Sequence, residues 1–131
     1  MSYANLIEAA AKARGHAHAP YSKFAVGAAL LTKSGKIFTG CNVENVSLGL
    51  TICAERNAVA AAIAGGEKEL AAIAIVTDFR EPVFPCGACR QVLAEFNPEL
   101  EIITSTIAGR TETALLSELL PRSDQRILEA N

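Results

Sequence analysis

Residues 70–107 read LAAIAIVTDFREPVFPCGACRQVLAEFNPELEIITSTI, and the architecture is built outward from them. Leu70 to Thr77 is a short, almost purely apolar run, as expected of a strand covered on both faces, and Glu101 to Ile107 is a second such segment. Between them, Gly87 to Phe96 reads as a helix stopped by Asn97-Pro98. A strand, a helix and a strand in succession predict a crossover that leaves the two strands parallel. Upstream, Phe24–Leu31 and Lys36–Val43 are extended runs separated by the turn-rich Thr32-Lys33-Ser34-Gly35, which predicts a β-hairpin. The hairpin contributes antiparallel strands to the same sheet, so the expectation is an α/β fold with a mixed sheet.

The helices follow from composition and stops. Residues 2–14 have helical apolar spacing and close at Gly15, whereas Cys53 to Ala64 is Ala-rich, nearly free of β-branching and ends at Gly65-Gly66. A last helix is expected from about Thr113 to Leu120, ending at Pro121. The polar tail 122–131 is expected to be flexible unless a neighbour orders it.

The chain has 131 residues, half of them hydrophobic, which fits one domain spanning 1–131. Twelve basic against 14 acidic residues give a formal net charge of −2 without a basic run, which argues against binding a nucleic-acid backbone. The longest apolar stretches, such as Ala58 to Ala64, fall short of the ~18 residues of a membrane span, so no membrane partner is expected. The N-terminus does not read as a signal peptide, and a cytoplasmic location is expected. Thiols stay reduced there, so the four cysteines are read as ligands, catalysts or core fillers rather than disulfides.

Cys86-Gly87-Ala88-Cys89 has the gap that places two sulfurs on one side of a helix start, where one metal ion can bridge them. The competing reading is a redox dithiol, because the same spacing at a helix N-terminus acidifies a thiol. Cys53 favours the metal: it also stands at a helix start, and two positive dipole ends stabilise thiolates around a cation. Three thiolates with an open fourth position suit a catalytic zinc site. His16, His18 and Cys41 are weaker ligand candidates, a solvated loop and a small core position being the plainer accounts.

Glu55 lies in the first turn after Cys53, where a carboxylate can carry a proton between water and substrate; alone it would read as a helix-start Glu favoured by the dipole. Three thiolates and one Zn²⁺ sum to −1, and a guanidinium on the sulfurs would offset that charge. Arg56 is the candidate, with an exposed helix arginine as its alternative, and Arg90 is a weaker one.

Cys53-Ala54-Glu55 followed by Pro85-Cys86-Gly87-Ala88-Cys89 resembles the signature of the zinc-dependent nucleoside and nucleobase deaminases. Pro20-Tyr21-Ser22-Lys23-Phe24, Val26-Gly27-Ala28-Ala29 and Gly40-Cys41-Asn42-Val43-Glu44-Asn45 extend the likeness to the small cytidine deaminases, from about residue 3 to Pro121. The resemblance implies a three-layer α-β-α sandwich around a mixed five-stranded sheet and assembly as a homotetramer. It also implies hydrolysis of cytidine and 2'-deoxycytidine to the uridines with release of ammonia, one Zn²⁺ per subunit, and a role in pyrimidine salvage. By position, it implies that Cys53, Cys86 and Cys89 hold zinc and that Glu55 shuttles protons. Asn42 and Glu44 correspond to the residues that bond the ribose, Phe24 packs near the base, and Ala54 offers backbone contacts. Two departures stand out. Leu48 replaces an aromatic, and the tail lacks the phenylalanine that covers the base from a neighbouring subunit, which predicts weaker closure and tolerance of substituted cytosines.

Other readings keep part of these residues. A deaminase of a modified cytosine nucleoside or an aminopyrimidine antibiotic would use the same metal and Glu55. A non-catalytic zinc-binding interaction module would bind metal and be indifferent to Glu55→Ala. A thioredoxin-like dithiol would leave Cys53, Glu55 and the Asn42/Glu44 pair unexplained, and a polynucleotide deaminase fits poorly with the charge.

Overall fold

A computed structural model describes residues 3–123 and Leu128. The predicted strand–helix–strand core is present as β3 (Leu70–Thr77), α3 (Gly87–Phe96) and β4 (Glu101–Thr106), with β3 and β4 parallel, Ile73 opposite Ile102. The hairpin is β1 (Val26–Thr32) and β2 (Ile37–Cys41), and β1 also pairs antiparallel with β3. With β5 (Thr111–Leu115) antiparallel to β4, the sheet is mixed and five-stranded, in the order β2-β1-β3-β4-β5.

β5 corrects one expectation. The helix predicted from Thr113 is a strand to Leu115 followed by a single turn, α4 (Leu116–Leu119). The helix-favouring Ala114-Leu115-Leu116-Ser117-Glu118-Leu119 run masked the Thr-Glu-Thr alternation before it. That alternation suits an edge strand once Thr106 N–H bonds to Arg110 O at 2.9 Å and turns the chain back along β4. The expectation for the tail falls largely outside the described residues.

The sheet is covered unequally. On one face Ala29, Ala72, Ala74, Val76 and Ile103 pack against Leu6 and Ala10 of α1 (Ala4–Arg14). On the other, Ala28, Leu30, Ile73, Ile75 and Ile102 pack against α2 (Ala54–Ala64), α3 and Leu116. Burying each Leu or Ile of this core contributes about 1.5–3 kcal/mol. The result is a three-layer α-β-α arrangement.

Small residues set how close the helices come. Ala54, Ala58 and Ala62 recur every fourth position along α2 and are fully buried. Opposite them is Gly40 of β2, where a Cβ would lie 2.5 Å from both Ala54 O and Ala58 N. On the other face Gly27 does the same for α1, with Ala10 O only 2.0 Å from where its Cβ would sit. Among the described residues no helix is long and apolar enough to cross a membrane.

Candidate active site

Cys53 and Cys86 are the N-cap residues of α2 and α3, both extended at φ −71° and −67°. Each cysteine therefore stands at the positive end of a helix, without a side-chain capping hydrogen bond. Cys89, one turn into α3, is buried, and all three sulfurs lie within 4.8 Å of one another, with Cys86 and Cys89 3.5 Å apart. Among the described residues this is the group able to hold a metal ion, and it includes neither His16, His18 nor Cys41.

The electrostatics suit a cation. Arg56 Nη2 lies 3.7 Å from Cys53 Sγ and donates to Thr51 O at 3.3 Å. A hydrogen bond from Cys89, then one from Arg56, brings the Cys53 thiol down to about 5, while the same Cys53–Cys89 contact and burial push Cys89 far above the usual thiol range. Cys53 thus favours the thiolate while its neighbour Cys89 resists it, and a divalent cation is the charge that would permit both. Three sulfur donors, with no fourth side-chain ligand grouped with them among the described residues, match zinc with one open position. Arg90 does not reach the sulfurs: it donates to Pro85 O at 2.8 Å and Leu119 O at 3.1 Å, tying the start of α3 to α4.

Glu55 is buried in the first turn of α2, and burial, aided by the nearby Cys53, pushes its carboxyl up to about 7. A carboxyl poised near neutrality both accepts and donates a proton. It opens on a cavity of about 230 Å³ with Phe24, Asn42, Cys53, Ala54 and Cys86 in its wall. That volume is below the roughly 300–1,000 Å³ of drug-sized pockets, so it suits one small molecule.

Of the expected residues the cavity joins Phe24, Asn42, Cys53, Ala54, Glu55 and Cys86, while Cys89 and Arg56 lie behind its wall and Glu44 lies outside it. Asn42 is buried, with Oδ1 accepting from Val26 N–H and Nδ2 donating to Phe24 O, both at 2.8 Å. Glu44 lies near the surface and ties down the preceding loop: it accepts from Tyr21 N–H at 3.0 Å, Ser22 N–H at 3.2 Å and the Ser22 hydroxyl. The Ser22 hydroxyl is the first cause that holds the Glu44 carboxyl below its ordinary range. Both residues lie beyond the end of β2, where Val43 is held extended between His18 and Ile52. Thr51, Ile75, Thr77, Val83 and Phe84 also line the cavity and were not singled out in the sequence. Val83 comes from the loop between β3 and α3, where Thr104 Oγ1 donates to Val83 O at 2.7 Å, a contact across 21 residues with no local signal.

Residues 1–105 match the family described as the cytidine and deoxycytidylate deaminase zinc-binding region. The chain is 49% identical over 117 residues to a cytidine deaminase of Halalkalibacterium halodurans, covering 88% of this chain and 89% of that protein. It is 46% identical over 122 residues to a cytidine deaminase of Sporosarcina psychrophila, covering 92% and 90%. Its fold superposes on the crystal structure of a cytidine deaminase from Burkholderia pseudomallei with a TM-score of 0.89 and 51% identity, covering 92% of this chain and 98% of that one.

Proposed function

The chain belongs to the cytidine and deoxycytidylate deaminase zinc-binding family, and from that premise we propose that it hydrolyses cytidine and 2'-deoxycytidine to uridine and 2'-deoxyuridine, releasing ammonia. The observation that carries this is three cysteine sulfurs within 4.8 Å of one another, two of them, Cys53 and Cys86, in the wall of the cavity that the buried Glu55 also lines.

Cys53, Cys86 and Cys89 would hold the ion, which when bound supplies the Lewis acidity that makes water nucleophilic near neutral pH. Glu55 takes a proton from the attacking water and delivers it to ring nitrogen N3 as C4 gains its oxygen. It then takes the proton of the new C4 hydroxyl and passes it to the amino group, so that the C4–N bond breaks, the C4 carbonyl forms and ammonia leaves. Arg56 offsets the excess thiolate charge from its place 3.7 Å from Cys53 Sγ. Phe24 and Ala54 flank the base, and Asn42 holds the ribose, with Glu44 reaching it once its loop contacts rearrange.

We further propose a homotetramer, supported by Val46, Leu48 and Leu50, which are 77%, 67% and 66% exposed next to the site. The proposed setting is the cytoplasm, where the free thiols stay reduced, and the proposed role is pyrimidine salvage on free nucleosides. The test is turnover of cytidine by zinc-loaded protein, following uridine and ammonia, with Glu55→Ala at equal metal content. Uridine formation lost only in the variant is expected. Zinc bound without turnover in either protein would overturn the substrate assignment.

A further inference from the structure

Asn57 has no part in the chemistry above, yet it touches both halves of the site. It lies one turn into α2, where its N–H donates to Cys53 O at 3.1 Å and its side-chain Nδ2 donates to Cys41 O at 2.8 Å. Cys41 ends β2, an edge strand of the sheet. Asn42 N–H bonds to Val26 O at 3.2 Å, which turns the preceding Cys41 carbonyl away from β1 and toward the open edge. Asn57 fills that position, so the carbonyl is satisfied by the helix that carries Cys53 and Glu55.

The next residue transmits the tie. Asn42 commits its amide to Val26 N–H and Phe24 O, so the end of β2 and the Phe24 wall move as one piece. At Gly40 the backbones of β2 and α2 touch without a side chain between them, which leaves the Asn57 amide as the directional contact that fixes their register.

We propose that Asn57 is a positioning residue: by bonding the Cys41 carbonyl it holds the substrate-binding end of β2, with Asn42 and Phe24, at its working distance from the metal-binding and proton-carrying start of α2. This rests on the deaminase reading above. The helix is anchored by its fully buried alanines, whereas β2 has a neighbour on one side only, so loss of the tie displaces the substrate half.

The test is steady-state kinetics on cytidine with zinc content measured for each protein. Asn57→Ala is expected to raise KM roughly 3- to 10-fold, the range for one lost hydrogen bond, with kcat within about twofold and zinc retained. Asn57→Asp keeps the shape but removes the donor and is expected to match it or exceed it. In an Asn42→Ala background the Asn57→Ala effect is expected to shrink, because the tie acts through Asn42. An unchanged KM, an additive double variant, or zinc loss with an equal fall in kcat would each overturn the proposal. A wild type that binds zinc but makes no uridine would instead overturn the deaminase reading, and the proposal with it.

Discussion

Gly40→Ala tests whether the closeness of β2 and α2 is a matter of packing alone or sets the spacing of the site. The new Cβ would lie 2.5 Å from Ala54 O and from Ala58 N, both backbone atoms that cannot swing aside. Reaching ordinary contact at 3.4 Å requires the strand and the helix to part by roughly 0.9 Å. Overpacking of this kind costs about 1–3 kcal/mol, which for a chain of this size lowers Tm by roughly 4–12 °C. The same displacement separates Asn42 from Cys53 and Glu55, and a misplacement near 1 Å costs on the order of 100-fold in rate. Calorimetry and kcat/KM on cytidine, at measured zinc content, read the two effects separately. Gly35→Ala is the matched control: its φ of +92° makes it strained and destabilising by about 1–2 kcal/mol, but nothing lies within 4 Å and kcat/KM is expected to hold within about twofold. If Gly40→Ala loses the expected Tm but keeps kcat/KM within about threefold of wild type, the approach does not set the spacing of the site.

Thr104→Val removes the hydroxyl that satisfies Val83 O and is expected to cost about 1–3 kcal/mol by denaturant unfolding, with a rise in KM as the Val83–Phe84 wall loosens. Stripping the metal with a chelator is expected to destabilise the fold by about 4 kcal/mol relative to zinc near 1,000 times Kd, seen as a fall in Tm that added zinc reverses, whereas Cys89→Ser is expected to show little recovery. Glu44 has a folded-state pKa below its ordinary value, so its anchoring of residues 21–22 is complete above the ordinary carboxylate range and fades as pH falls through the lowered value. The protection of that loop against hydrogen exchange, relative to the intrinsic rate at each pH, is expected to fall in acid in the wild type and to be low at all pH values in Glu44→Gln.

The elements that bury one continuous apolar run were legible from residue pattern: the β3 and α3 bounds agree with the sequence expectation, and α2 begins one residue after it. What was not legible is what only the third dimension supplies. Thr111–Leu115 is stabilised as a strand by pairing with β4, a partner its own sequence does not name, while its last residues share the composition of the turn that follows. The three cysteines and Glu55 stood out because the metal and proton chemistry proposed for them would restrict residue type and spacing. Thr51, Val83 and Phe84 were not, because a cavity wall asks only for a surface of the right shape. Glu44 shows the same limit from the other side: the resemblance pairs it with Asn42 on the ribose, but the loop at Tyr21 and Ser22 supplies three donors to its carboxylate.

The convergence of the sulfurs follows from connectivity. α2 leads directly into β3, so it runs back along the sheet with its N-terminus near the end of β3. α3 leaves that same end and returns to the start of the parallel strand β4. Both helices lie on one face, so both N-termini meet at the carboxyl end of the central strands, the place where open α/β sheets bind ligands. A cysteine capping each helix is thereby brought to its partner by topology, and the two-residue gap to Cys89 adds the third sulfur from the first turn. The antiparallel hairpin is the element this logic does not place, since β2 could end at many heights against α2. Gly40 and the Asn57–Cys41 bond fix that height, and with it the distance between the residues that would grip a nucleoside and those that would change it.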